Sequence, residues 1–206
     1  MGLKGQQTRE NILACAEGII LQRGYSGTSL EDIIRDAGVT KGGFFYHFDG
    51  KSDLAKKLML RYLEQDKVFF DALLERAASL TEDPLQQLLI FLKLMAEAMA
   101  DLPGTHPGCL VASFTYESQQ FDDELRDLNR QGVLAWRQLF TEQFEKIVEQ
   151  YPPKTDRPLL ELADMLTTVI EGGIVMSKVL DDRHILPNQL LLYRDYVRRV
   201  FGDNQG

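Results

Sequence analysis

The stretch Thr28-Ser29-Leu30-Glu31-Asp32-Ile33-Ile34-Arg35-Asp36-Ala37-Gly38-Val39-Thr40-Lys41-Gly42-Gly43-Phe44-Phe45-Tyr46-His47-Phe48 decides the fold. Thr28 to Glu31 has capping-box spacing, which predicts a helix whose inner face is Leu30, Ile33, Ile34 and Ala37. Gly38 ends it, Val39-Thr40 starts another, and Asp49-Gly50 ends that one. Two short helices joined by a tight glycine turn make a helix-turn-helix. At about 100° per residue, Lys41, Phe44, Phe45 and Phe48 share one side of the later helix, and Gly42, Gly43, Tyr46 and His47 the other. The phenylalanines suit an inner face. The opposite face then carries two residues without bulk beside a phenol and an imidazole, with Lys41 at the exposed N-terminal end and Lys51 opening the next helix. Glycines permit close approach, and Tyr, His and Lys donate to phosphate oxygens, so this face suits a duplex entered through the major groove. The competing reading is an aromatic miniature core with two tolerated glycines.

Working outward, periodicity near 3.6 runs almost throughout and predicts an all-α chain. A first helix begins near Thr8, repeats Ile12, Leu13, Ala16, Ile19 and Ile20 on one face, and stops at Gly24. A long run from Lys51 to about Leu80 follows the motif, and the domain boundary falls within it. That gives a helix-turn-helix domain over 1–56 and a helical ligand-binding and dimerisation domain over 57–206. Further helices are expected at about 83–101, 108–118, 122–151, 157–180 and 187–201, separated by Pro103–Pro107, Pro152-Pro153 and Pro187. The 83–101 helix is apolar on nearly every side and should be central in a bundle.

Composition narrows the function. The chain has 206 residues, 44% apolar, with a net charge of -8, too apolar for a disordered protein. Leu88–Met99 and Leu166–Leu180 are interrupted by charges, short of the about 18 apolar residues of a membrane span, so no membrane association is expected. The opening residues lack the apolar run of a signal peptide, and Gln6 stands where a myristoylation signal has Ser or Thr, so the expected location is cytoplasmic. Residues 1–57 carry eight Lys/Arg against seven Asp/Glu, and residues 58–206 carry fifteen against twenty-four. A polyanion would therefore be tolerated at the N-terminal end, near Lys4, Arg9, Lys41, Lys51, Lys56 and Lys57. On charge alone, a simple solvated acidic surface is the favoured reading.

Over residues 8–57 the chain resembles the TetR family of bacterial transcription regulators. The resemblance rests on Thr8–Leu13, Gly24-Tyr25, Thr28–Ile33, Ala37–Gly42, Phe44, Tyr46-His47-Phe48 and Lys51, with a looser match at Ile170–Gly173. It implies a homodimer that binds a palindromic double-stranded DNA operator and releases it when a small-molecule inducer enters the helical body. Carried over, it places Thr28 on the DNA backbone at the start of helix two, and Lys41 and Gly42 near base edges, with Thr40 and Gly43 beside them. Tyr46, His47 and Lys51 would hold phosphates. Gly43 stands where the family often has a polar residue, Phe45 where it usually has tyrosine, and Gly50 where it usually has a Ser or Thr cap. Phe45 therefore has no polar role to play.

In the body, Gly172 and Gly173 flanked by Leu162, Leu166, Ile170 and Ile174 suit either a dimer seam or packing inside one subunit. The last helix offers Leu190, Leu191, Val197, Val200 and Phe201 for a four-helix contact. Candidate inducer-site residues are Phe91, Met95, Met99, Cys109, Phe114, Tyr116 and Trp136, although methionines and aromatics at helical spacing are more often core. Cys109 reads first as a buried inert thiol, with an oxidant- or electrophile-sensing role as the alternative, since some relatives carry a reactive cysteine there.

Catalytic readings fail. Gly50-Lys51-Ser52 lacks the glycine of a phosphate loop, since Phe45 occupies that position. His47, His106 and His184 have no metal-ligand spacing, and no serine sits in a G-x-S-x-G elbow. Neither a metal nor a cofactor is expected, and no enzyme. The expected function is a sequence-specific DNA-binding regulator, a repressor released by an inducer. The alternative is a helical small-molecule carrier whose N-terminal motif is purely structural.

Overall fold

The computed structural model describes residues 2–202; Met1 and residues 203–206, the outer ends of the two expected domains, lie outside them. Every regular element among the described residues is helical. In chain order they are α1 (Leu3–Arg23), α2 (Leu30–Asp36), α3 (Lys41–Phe45), α4 (Lys51–Ala78), α5 (Pro84–Ala100), α6 (Leu110–Tyr116), α7 (Asp123–Val148), α8 (Leu159–Leu180) and α9 (Ile185–Phe201). A 3₁₀ turn at Ser118–Gln120 precedes α7. No helix among the described residues is long and apolar enough to cross a membrane.

Two boundaries differ from expectation for local reasons. α1 starts at Leu3, well before Thr8; the Thr8 hydroxyl donates back to the Lys4 carbonyl at 2.9 Å, a bond made within a helix, so Thr8 does not cap it. Pro187 lies inside the first turn of α9, where its missing N–H costs nothing.

The chain packs as two compact units that do not follow the linear division at residue 56. One holds the chain through Gln65 together with Pro107–Val133, and the other holds Asp66–His106 with the chain from Leu134 onward. In the first, Ile12, Leu13, Ile33, Phe44, Leu54 and Leu58 are buried. The Asn11 amide donates to the Ala37 carbonyl at 2.8 Å, so α1 satisfies the C-terminal end of α2. In the second unit, Phe70, Phe91 and Phe140 form one ring cluster. α5 contributes Leu85, Leu88, Leu89, Phe91, Leu92 and Met95 to the interior, as its all-round apolar pattern predicts. The buried Tyr193 hydroxyl of α9 donates to the Leu162 carbonyl of α8 at 2.6 Å, so its polar tip is satisfied in the core.

Candidate nucleic-acid interface

α2 and α3 form the turn that presents the site. The capping box is Ser29 with Asp32, one residue later than the predicted Thr28 with Glu31. The Asp32 N–H donates to Ser29 Oγ at 3.0 Å, and the Ser29 N–H donates to Asp32 Oδ2 at 3.2 Å. The Ser29 hydroxyl and then the Arg35 guanidinium hold the Asp32 carboxyl down at about 2. Gly38, at φ 64°, makes the left-handed step between the helices, where a Cβ would be strained. Thr40 caps α3, its Oγ1 accepting from the Gly43 N–H at 3.0 Å.

α3 is only five residues long, and Tyr46 caps it in helical conformation, with the turn carried on by the Phe48 N–H donating to the Phe44 carbonyl at 3.0 Å. Phe44 and Phe48 are buried as expected, with ring centroids 5.3 Å apart. Phe45 is not on the inner face: it is 45% exposed. Lys41 and Gly42 are exposed, and Tyr46 is 74% exposed. A Cβ built on Gly42 would meet nothing within 4 Å, so the helix backbone is open to close approach there. Gly43 is half-exposed, with the Thr40 hydroxyl 3.2 Å from where its Cβ would be.

Three expected DNA contacts need revision or refinement. Thr28 is buried, and its hydroxyl donates to the Gly24 carbonyl at 2.7 Å, so it holds the turn after α1 and is not available to a DNA backbone. Lys51 is half-buried; its ammonium donates to the Tyr25 carbonyl at 2.5 Å and lies 3.9 Å from the centre of the Tyr25 ring. It braces this turn, so it is not the outward phosphate donor the sequence suggests. His47 is half-exposed, and its Nδ1 is buried with no hydrogen-bond partner among the described residues, so an outward donation falls to Nε2. Two further cations are also engaged, Lys56 with Asp122 and Glu124, and Lys57 with Asp53.

The turn carrying Tyr25 is clasped by a residue the sequence did not single out. The Glu117 carboxylate accepts from the backbone N–H of Tyr25 at 2.6 Å and of Ser26 at 2.8 Å. The Tyr25 ring packs against Phe114 and Phe121. Burial alone pushes the Glu117 carboxyl up, but the hydrogen bonds from Ser26 and Tyr25 and the Lys51 charge outweigh it, leaving it below its ordinary value. Its contribution is therefore complete above the unfolded carboxyl pKa of about 4.3 and is lost as pH falls through the lower folded value. Glu117→Gln is expected to cost about 1–2 kcal/mol at pH 7, after allowance for solvent screening. Urea midpoints at pH 7 and pH 3 should show the parent's advantage shrinking in acid; an advantage equal at both would contradict the assignment.

The family model described as bacterial regulatory proteins, tetR family, matches residues 12–58, and that of the tetracyclin repressor-like C-terminal domain matches residues 84–188, more than half of the chain. The chain belongs to the TetR family. It is 27% identical over 198 residues, 95% of each chain, to an uncharacterized HTH-type transcriptional regulator of Lactococcus lactis subsp. lactis. It is 27% identical over 186 residues, 86% of each chain, to the HTH-type transcriptional repressor DhaR of Mycobacterium sp. (strain GP1). The crystal structure of a TetR transcriptional regulator from Chloroflexus aurantiacus shares the fold, with a TM-score of 0.81 at 23% identity over 97% of this chain and 98% of that one. This TetR-family protein is a DNA-binding transcription regulator.

In the TetR-family body, the expected dimer residues turn inward. Leu162, Leu166, Gly173, Ile174, Leu190 and Val197 are buried within the chain itself, and Ile170 is half-exposed. A Cβ on Gly173 would come within 2.8 Å of Leu186, so its smallness serves the packing of α8 on α9. The outward apolar residues of α8 include Met165 (39% exposed), Val175, Met176 and Val179 (75%) on its other side, with Gly172 open between them, and Leu160 and Leu180 near its ends. The expected inducer-site residues are not gathered in one unit. Phe91, Met95, Met99 and Trp136 belong to the second, and Cys109, Phe114 and Tyr116 to the first. Phe91 and Phe114 are committed to the two ring clusters, and Tyr116 is 82% exposed, so it lines no interior. Cys109 is half-buried and not in a disulfide.

Proposed function

We propose that this TetR-family regulator is a homodimeric repressor that reads a palindromic operator with α3 and leaves it when a small molecule binds the helical body. The observation that carries the reading is the outward face of α3, where exposed Lys41, Gly42 and Tyr46 offer a cation, an open backbone and a phenolic donor together. Thr40, Gly43 and His47 flank that face, and Thr28 and Lys51 act behind it by bracing the turn. Residues 1–56 would form the DNA-binding domain and 57–206 the ligand-binding and dimerisation domain.

The dimer would form through Met165, Gly172, Val175, Met176 and Val179 of α8 with Leu192 of α9, a set of exposed apolar residues around one open glycine. For the inducer, Met99 and Trp136 are the half-exposed members of the second unit's set and the ones we retain. α4 is one unbroken helix with residues in both packing units, which suits it to carry a ligand signal to the DNA-reading end. The protein would act in the cytoplasm and would not be an enzyme, in keeping with relatives that are transcription regulators.

Selection of bound duplexes from a randomised DNA pool tests this reading. The expected product is an inverted repeat with half-sites about one helical turn apart. A folded protein that enriches no sequence would favour the carrier alternative.

A further inference from the structure

We propose that Phe45 is a specificity-determining residue that reads thymine, its outward ring taking the 5-methyl group of one thymine in each half-site. Phe44 is 0% exposed and Phe48 1%, whereas Phe45, between them in sequence, is 45% exposed. A lone exposed apolar side chain carries no message by itself; the neighbours of this one do. Lys41 and Gly42 lie four and three residues before it, on the same side of the helix, and both are exposed. Gly42 has no side chain and open space above it, so the ring stands proud of the helix surface there.

The ring is also held. Its centroid lies 5.4 Å from that of the buried Phe44 at an interplanar angle of 85°, an edge-to-face contact that fixes its direction without covering it. Phenylalanine has no donor or acceptor, so it can hold neither a phosphate nor a base edge by hydrogen bonding. The one apolar feature in the major groove is the thymine methyl group, which tells T·A from the other pairs. A braced, half-exposed phenyl ring beside a lysine and an open backbone therefore divides the work: Lys41 reaches polar edges, and Phe45 takes the methyl.

This rests on α3 being the DNA-reading helix, and the experiment separates the two claims. Duplexes selected by the full-length parent from a randomised pool are resynthesised with deoxyuridine replacing one thymine at a time, which deletes only the methyl group. Removing one buried methyl is expected to weaken parent binding about fourfold at one thymine in each half-site, about 0.8 kcal/mol at 1.4 kcal/mol per tenfold. Phe45→Ala should bind the thymine and uracil duplexes alike at that position, and Phe45→Leu should keep part of the difference. The parent series stands even if Phe45→Ala does not fold, and Phe45→Ser then serves as the second test. A parent indifferent to uracil everywhere, or an alanine variant that keeps the fourfold difference, would overturn the assignment. Enrichment of no duplex by the parent would overturn the DNA-reading role of α3, and this assignment with it.

Discussion

Gly42→Leu is expected to stabilise the protein slightly and to weaken operator binding at least a hundredfold. The two effects have separate origins. Gly42 lies in α3 with ordinary negative φ, is exposed, and has nothing within 4 Å of a built Cβ, so a side chain there meets only solvent. Removing the conformational freedom of a helical glycine is worth about 0.5 kcal/mol, or about 1–2 °C for a chain of this size. On DNA the same four carbons would stand between the helix backbone and the base edges. Pushing α3 out of the groove loses several direct contacts at once, about 3 kcal/mol or more, which is over a hundredfold in affinity. Thermal melting and binding to the selected duplex check both halves. A variant that binds like the parent would show that Gly42 faces away from DNA.

Two residues later the expectation reverses. Phe44→Ala removes a fully buried ring that packs against Phe45 and Phe48, with centroids 5.4 and 5.3 Å away. Such a truncation costs about 3–5 kcal/mol, a large part of the about 5–15 kcal/mol that holds a typical domain. The urea midpoint should fall sharply, and operator binding should fail because the head no longer holds α3. Tyr46→Phe makes the contrast: Tyr46 is 74% exposed, so losing its hydroxyl should leave the urea midpoint unchanged while weakening DNA binding by one donor. A Phe44→Ala protein as stable as the parent would mean that the aromatic pair is not the core of the reading unit.

The helices were largely legible in the sequence, because 3.6-residue periodicity and proline or glycine punctuation mark them directly. The details that fix the site were less so. Thr28 with Glu31 and Ser29 with Asp32 have the same capping spacing. The chain uses the second because the Thr28 hydroxyl is spent on the Gly24 carbonyl. Phe45 sits at the edge of the phenylalanine side of the wheel, about 100° from Phe44 and about 60° from Phe48, where the pattern does not say whether a ring is covered. On α8 both sides are apolar, and periodicity cannot say which one packs inward; Gly173, pressed against Leu186, marks the inner side and Gly172 the outer. The Glu117 clasp spans more than ninety residues of sequence, a separation at which no local pattern reports.

Binding of the parent protein to its selected duplex as a function of salt tests the DNA-reading role of the α3 face most directly. Each phosphate neutralised by a lysine or arginine contributes about -0.9 to the slope of log affinity against log salt. The expected result is a straight line with a clearly negative slope, shallower in Lys41→Ala, unchanged in Tyr46→Phe, whose lost phenol carries no charge, and lost with Gly42→Leu. An affinity indifferent to salt in the folded parent would contradict the DNA-reading role of this face.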